Sequence, residues 1–155
     1  MKQAVLVVDV QPSFDPPDWL VERCQKLASR HPSVATVFRH DETRVPFERQ
    51  LGWRLEHDGA SLVRADHVLI KYGYGPTAAV LERLRNLRAD RVLVCGIQAD
   101  ACVLACGFAL FDAGLRPALV ADAVVGSSLD PAGTAVLDLW RHHLGAAVES
   151  YRDLV

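Results

Sequence analysis

Residues 91–123 read RVLVCGIQADACVLACGFALFDAGLRPALVADA. The stretch opens with a continuous apolar run at 91–97, rich in β-branched residues, which predicts a strand buried on both faces. A mostly apolar segment from Asp100 to Gly114 predicts a buried helix, and Gly114 suits the end of such a helix. A second apolar run at 117–123 predicts another buried strand. Strand, helix and strand in this order are the repeating unit of a parallel sheet.

The same alternation continues on both sides of this stretch. Other apolar runs predict strands at 4–8, 34–38, 68–71 and 146–149. Helical spacing of apolar residues predicts three more helices, beginning with the candidate caps Asp18 and Thr77 and with Asp130-Pro131. The predicted fold class is therefore α/β, a doubly wound parallel sheet of five or six strands with helices on both faces. The length predicts a single domain over residues 1–155.

Composition narrows the possible partners. Half of the residues are apolar, and the formal charge is -2 without a long run of either sign. We therefore expect a small-molecule substrate, and neither nucleic acid nor a membrane as partner. The four cysteines are too few and too scattered for a disulfide framework, and no signal or membrane segment stands out, so a cytoplasmic protein with free thiols is predicted.

Reactive side chains follow three of the predicted strands. Asp9 closes the first strand, Lys71 closes the third, and the fourth leads through a turn to Cys102 at the start of a helix. In doubly wound sheets the binding crevice lies beyond the carboxyl ends of the strands, so the three should converge. Each alone has a structural explanation, as a loop cap, a solvated strand end or a small core residue. Their combination favours a catalytic site.

The chemistry of a nucleophilic thiol needs such neighbours. An ordinary thiol with a pKa near 8.5 is mostly protonated at neutral pH, and a shift of about 2 units, roughly 2.7 kcal/mol, would ionise it. A helix N-terminus and the Lys71 ammonium are expected to lower the pKa of Cys102 in this way. Asp9 could accept the thiol proton and later return it to a leaving group.

Three motifs, and their order along the chain, resemble those of the isochorismatase-like cysteine hydrolases. They are the block GIQADACV at 96–103, the segment DVQPSF at 9–14 and Lys71 before a Tyr/Gly turn. The resemblance covers nearly the whole chain. It implies a catalytic triad in which Cys102 is the nucleophile, Asp9 the general acid and base, and Lys71 its electrostatic partner.

The resemblance also implies finer features of the site. It places a non-proline cis peptide at Ile97-Gln98 and an oxyanion hole at the backbone N–H groups of Gln98 and Cys102. Phe14 matches a position that commonly lines the substrate pocket. Members of the family are usually dimers or larger, so a homo-oligomer is expected.

Some residues depart from the family pattern. Ala99 and Cys106 stand where many members have Thr, and Gly75-Pro76 displaces an aromatic residue, which changes the expected pocket shape. Cys106, four residues after Cys102, could form a redox pair with it but more readily fills core space.

No metal and no cofactor are predicted. Nicotinamidases of the family bind a metal through an Asp-x-His pair after the second strand. Here Asp41 is present but its partner position is Thr43. Three loop histidines remain, His40, His57 and His67. Their spacing is not typical of a metal site.

The predicted function is hydrolysis of a small amide or related C–N bond through a thioester on Cys102. Two alternatives stay open: hydrolysis of a vinyl ether, as in isochorismatases proper, and a catalytically idle interaction module of the same fold. The substrate is not readable from the sequence, because pocket selectivity is expected to come from the polar, irregular excursion 39–65.

Overall fold

A computed structural model describes residues 1–155 and contains one sheet of six parallel strands in the order β3-β2-β1-β4-β5-β6. The predicted α/β class is confirmed. The strands are β1 Gln3–Val8, β2 Ser33–Phe38, β3 His67–Lys71, β4 Arg91–Ile97, β5 Pro117–Val125 and β6 Ala147–Val148.

Five helices connect the strands. They are α1 Asp18–Arg30, α2 Phe47–Leu51, α3 Ala78–Asn86, α4 Leu104–Asp112 and α5 Thr134–His143. A π-helical turn at Ala99–Val103 runs directly into α4, and short 3₁₀ turns lie at Pro12–Phe14 and Tyr151–Asp153. None of the helices combines the length and the apolar character that crossing a membrane requires.

Two hydrophobic cores lie on opposite faces of the sheet. Side chains of alternate strand residues point to opposite faces, so Val5 and Val7 join the core under α1, while Leu6 and Val8 join the other core. The second core contains buried residues of α3, α4 and α5, with Trp140 among them. Helices on both faces explain why the central strands are apolar throughout.

Two glycines, one in β4 and one in α4, lie where a neighbouring element packs too closely for a Cβ atom. Gly96 has a φ of +122°, and a Cβ there would overlap the Val8 carbonyl oxygen on β1. A Cβ at Gly107 would overlap the Trp140 ring, so α4 and α5 pack at a distance that only glycine permits. The first approach brings the ends of β1 and β4 together beside Asp9.

The structure corrects several predicted boundaries. Asp18 is the first residue of α1 and makes no cap hydrogen bond, whereas the Thr77 hydroxyl accepts from Val80 N as predicted. Helix α5 begins at Thr134, later than predicted, because Asp130 accepts hydrogen bonds from the amides of Ala135 and Val136 from outside the helix. Helix α2, within the excursion 39–65, was not predicted at all.

Candidate active site

The sheet order places a crevice at the carboxyl ends of β1 and β4. The chain winds from β1 through β2 to β3 on one side, and then crosses to β4, β5 and β6 on the other. Loops that leave β1 and β4 therefore diverge, and the gap between them is the usual binding site of this fold class. Asp9 follows β1 directly, and the turn that carries Cys102 follows β4.

Asp9 is fully buried and is held by β2. Its backbone has a φ of +54°, and its amide donates to the Thr36 carbonyl oxygen at 3.2 Å. The Thr36 hydroxyl donates to Asp9 Oδ1 at 2.8 Å. Val8 and Thr36 are register partners in the β1–β2 ladder, which explains why this threonine reaches the aspartate. One carboxylate oxygen of Asp9 is thus fixed by the sheet itself.

Lys71 reaches Asp9 across the intervening strand. It ends β3, pairs in register with Phe38 of β2, and is fully buried. Its ammonium lies 5.1 Å from the centre of the Phe38 ring and 2.8 Å from Asp9 Oδ2. It donates a hydrogen bond to Gly73 O at 2.6 Å. Although Asp9 Oδ2 is in ion-pair contact with Nζ, it has no hydrogen bond of ordinary geometry.

Cys102 lies in the π-helical turn before α4, is partly exposed, and lines the cavity. Burial raises the pKa of its thiol to about 11, because Lys71 lowers it only in part and Asp9 raises it further. The expected lowering of this pKa is therefore wrong for the free protein. Asp9 and Lys71 are thus the two charged groups that shift this pKa, and they do so in opposite directions.

The pKa values of the two charged partners, Asp9 and Lys71, are also shifted. Burial raises the pKa of Asp9 above its usual value, although Lys71 and the Thr36 hydroxyl lower it. Burial by itself would lower the pKa of Lys71, but Asp9 and the Cys102 sulfur raise it above its usual value. A lysine that stays charged therefore faces an aspartate with an increased affinity for a proton, which suits proton transfer from the neighbouring thiol.

Hydrogen bonds hold the turn between β4 and Cys102 on both sides. The peptide Ile97-Gln98 is cis, and the Gln98 carbonyl oxygen accepts from the amides of Ala101 and Val103. Asp100 accepts from the Ser127 amide at 2.8 Å and from its hydroxyl at 2.5 Å, which joins the turn to the loop after β5. Sequence reasoning assigned no role to Asp100 or Ser127.

A cavity of about 860 Å³ opens onto this turn. Cys102 and Gln98 lie at its floor, and Phe14 lines it as the resemblance implied. Its wall contains four further aromatic residues that sequence reasoning did not assign to the pocket: Phe38, Phe47, Trp53 and Tyr74. Their rings pack mostly edge to face, at centroid distances of 5.2 to 5.8 Å. The only signal in the sequence was a tryptophan within the polar excursion.

The Asp-x-His pair that could bind a metal is incomplete here, because Thr43 stands at the histidine position. Asp41 Oδ1 accepts from the amide and the hydroxyl of Thr43, and its other oxygen pairs with Arg44, so its carboxylate is used within its own turn. His67 begins β3, at the opposite end of that strand from Lys71, while His57 lines the cavity. A different group comes together instead, which contains His40, Glu42 and Glu48.

Comparison with known proteins assigns the chain to a family. The family model of the isochorismatase domain matches residues 3–151. The chain belongs to the isochorismatase family. This membership confirms the predicted family and the predicted hydrolase class. A comparison with curated protein sequences finds no significant match.

Solved structures of this family share the fold. An N-carbamoylsarcosine amidase from Thermoplasma acidophilum is 24% identical with a TM-score of 0.79, and the match covers 97% of each chain. A zinc-bound pyrazinamidase from Pyrococcus horikoshii is 22% identical with a TM-score of 0.78, over 96% of this chain and 99% of the other. A pyrazinamidase/nicotinamidase from Streptococcus mutans UA159 is 20% identical with a TM-score of 0.76, over 95% of this chain and all of the other.

Proposed function

We propose that this isochorismatase-family hydrolase cleaves the C–N bond of a small amide through a thioester on Cys102. One observation carries the proposal. Lys71 Nζ lies 2.8 Å from Asp9 Oδ2, and both side chains are buried. Near this pair is Cys102, whose thiol is the only one in the chain that is partly exposed. The thiol lies at the floor of a cavity large enough for a small molecule. The amidase names of the three similar structures support an amide as the substrate.

The first step forms the thioester. Substrate binding brings the amide carbonyl carbon next to the Cys102 sulfur, and the thiol proton moves to Asp9 Oδ2 as the C–S bond forms. Oδ2 suits this role because it has no other hydrogen bond, whereas Oδ1 is held by Thr36. The negative charge that develops on the carbonyl oxygen is stabilised by the backbone N–H groups of Gln98 and Cys102.

The second step releases the products. Asp9 returns the proton to the departing amine as the C–N bond breaks, and the amine leaves. Water then attacks the thioester and gives a proton to Asp9. The C–S bond breaks to release the carboxylic acid, and Asp9 passes its proton to the Cys102 sulfur. Lys71 remains charged throughout and limits the proton affinity of Asp9, because a buried carboxylate without its cation would stay protonated.

The cavity wall favours a substrate with a flat, apolar group beside the amide. Aromatic side chains bind such groups by offset or edge-to-face contact, and Phe14, Phe38, Phe47, Trp53 and Tyr74 surround the space in front of Cys102. Arg54, Glu56 and His57 add polar groups to the same lining. These residues are where selectivity among amides is expected.

A panel of primary amides with aliphatic, aromatic and heteroaromatic acyl groups, together with N-carbamoyl amino acids, tests the proposal by ammonia release. We expect at least one amide to be hydrolysed, and Cys102→Ala and Asp9→Asn each to lower kcat by about 100-fold or more. A thioester should be trapped on the Cys102 peptide by rapid acid quench and mass spectrometry.

The matched control is Cys106→Ala, which removes the buried thiol one helical turn away and should leave hydrolysis within about threefold of the original rate. Hydrolysis that survives in Cys102→Ala would overturn the nucleophile. Release of a carbonyl compound from a vinyl ether, with no amide hydrolysed, would favour the ether-cleaving alternative. Absence of both activities, with Cys102 no more reactive than Cys106 toward iodoacetamide, would favour the idle module.

A further inference from the structure

We infer that Gln11 is a positioning residue, which places the aromatic wall of the cavity relative to Cys102 and so sets the preference for aromatic over aliphatic amides. Gln11 belongs to the segment 9–14, in which only Asp9 and Phe14 have a role so far. Its side chain is fully buried and does not line the cavity, so it acts through other residues. This role rests on the proposed function, because amides are the molecules between which the wall would select.

The carboxamide of Gln11 takes the place of a missing strand beside Phe38. The β1–β2 ladder ends with the pair Val8 and Thr36, and the Asp9 amide still donates to the Thr36 carbonyl oxygen. Phe38 lies two residues further along β2, where β1 has already ended. Gln11 Oε1 accepts from the Phe38 amide at 2.7 Å, and Gln11 Nε2 donates to the Phe38 carbonyl oxygen at 2.9 Å. One side chain therefore satisfies both backbone groups of the buried residue that ends β2.

The Phe38 ring carries this position into the cavity. Its centroid lies 5.6 to 6.1 Å from those of three other wall residues, Phe14, Phe47 and Trp53. The Lys71 ammonium lies 5.1 Å from the centre of the same ring. Phe38 is thus the aromatic residue that joins the wall to the reacting groups. A displacement of its backbone would move the wall relative to the nucleophile.

A second contact extends from Gln11 to the excursion 39–65. Gln11 Nε2 also donates to Ser13 Oγ at 3.3 Å, and the Ser13 hydroxyl donates to the His57 carbonyl oxygen at 2.7 Å. Ser13 and His57 both line the cavity. The same carboxamide therefore holds the end of β2 and, through Ser13, the later part of the excursion. Loss of this carboxamide should loosen the wall on two sides.

Alkylation of Cys102 by two reagents tests this role without any need for hydrolysis. In the original chain, N-benzyl iodoacetamide should react faster than iodoacetamide, because its ring binds to the aromatic wall. The ratio of the two rates does not depend on how far the thiol is ionised. Gln11→Met keeps the length of the side chain but removes its hydrogen bonds, and should lower the ratio about threefold or more. Peptide mass spectrometry gives both rates.

Ser33→Ala is the matched control. Ser33 is a buried polar residue at the other end of β2, where its hydroxyl accepts from the Asp66 amide at 3.1 Å. Its loss should destabilise the same strand and leave the ratio unchanged, while circular dichroism checks folding. Should Gln11→Met fail to fold, Ser13→Ala removes only the contact to His57 and should lower the ratio about twofold. An unchanged ratio in the folded Gln11→Met or in Ser13→Ala, or an equal fall in Ser33→Ala, would overturn the inference.

Steady-state kinetics then connect the role to substrate selection. For the aromatic and aliphatic amides of the panel, Gln11→Met should raise KM for the aromatic amide more than for the aliphatic one, and kcat should change less than KM. Equal losses for both amides would contradict the role. If no amide is hydrolysed, the proposed function fails, whereas the alkylation ratio still decides what Gln11 does.

Discussion

Asp9 has two carboxylate oxygens in different surroundings, and this asymmetry organises the site at the scale of single residues. Oδ1 accepts from the Thr36 hydroxyl, while Oδ2 faces the Lys71 ammonium and has no donor of ordinary geometry. The Cys102 sulfur responds to both charges in opposite directions. Variants at the two charged residues should therefore separate their effects on the thiol.

We expect Asp9→Asn and Lys71→Met to shift the reactivity of Cys102 in opposite directions. In the original protein, alkylation of Cys102 by iodoacetamide should accelerate with pH up to about 11, the pKa of the thiol. Asp9→Asn removes a charge that raises this pKa, so the midpoint should fall. Lys71→Met removes a charge that lowers it, so the midpoint should rise. Peptide mass spectrometry at a series of pH values gives both midpoints.

Folding must be checked for the lysine variant. Lys71→Met leaves Asp9 buried without a cation, which is expected to cost about 3–5 kcal/mol of stability. Alkylation is therefore measured well below its melting temperature. A shift of both midpoints in the same direction would contradict the opposite effects of the two charges on the thiol.

Thr36 is expected to stabilise both the fold and the orientation of Asp9. Thr36→Val keeps the shape of the side chain but removes the hydroxyl that donates to Oδ1, so a buried acceptor loses its partner. Unfolding by urea should show a loss of about 1–3 kcal/mol. Thr36→Ser retains the hydroxyl and should recover part of that loss. Equal stability of the valine variant and the original chain would show that the hydrogen bond contributes nothing.

At the scale of elements, the π-helical turn Ala99–Val103 is the piece that presents the nucleophile. It follows the end of β4 and passes without interruption into α4, so its orientation depends on what holds its outer side. That outer contact is Asp100, which accepts two hydrogen bonds from Ser127 on the loop after β5. Asp100 touches no catalytic group of the proposed mechanism, so we regard it as a positioning residue.

Asp100→Asn is expected to weaken this contact and to lower kcat for amide hydrolysis about tenfold, with KM little changed. The rate of Cys102 alkylation at fixed pH should change as well, which a purely structural role would not cause. Ser127→Ala removes the hydroxyl but keeps the amide donor, so its effect should be smaller. Wild-type kinetics and alkylation in Asp100→Asn would contradict a positioning role.

The sequence predicted elements well where burial sets the pattern. The strands β1, β2, β4 and β5 are continuous apolar runs because both faces are covered, and their positions agree with the structure to within a few residues. Helix α2 has only five residues, too few for a periodic apolar pattern, and its start is held by Glu42 from outside the helix. Its only local signals are Pro46 before it and Gly52 after it, which ends the helix in a left-handed conformation.

At the scale of the whole molecule, the parallel order of the strands explains which parts of the site were predictable. Asp9, Lys71 and the turn before Cys102 lie at strand ends, so the fold class alone brought them to one edge of the sheet. The raised pKa of Cys102 was not predictable, because it depends on how deeply the thiol is buried. The cluster of His40, Glu42 and Glu48 likewise depends on the path of a loop.

The expected homo-oligomer remains a prediction, since the structure contains one chain. Multi-angle light scattering should give a mass at least twice that of one chain at micromolar concentration. The expectation comes from the family resemblance alone, so a mass equal to one chain would reject it without affecting the fold or the proposed chemistry.

The cavity combines two structurally separate parts: a floor built on the sheet, and a wall supplied largely by the excursion 39–65. Because of this division, we expect that residues 39–65 can be replaced as one segment by the corresponding segment of a relative. A chimera that carries the corresponding segment of an amidase relative should acquire the donor's preference among amides while it keeps the host's nucleophile and melting behaviour. Diversification within such a scaffold would then proceed by replacing one loop, with the reacting groups left untouched.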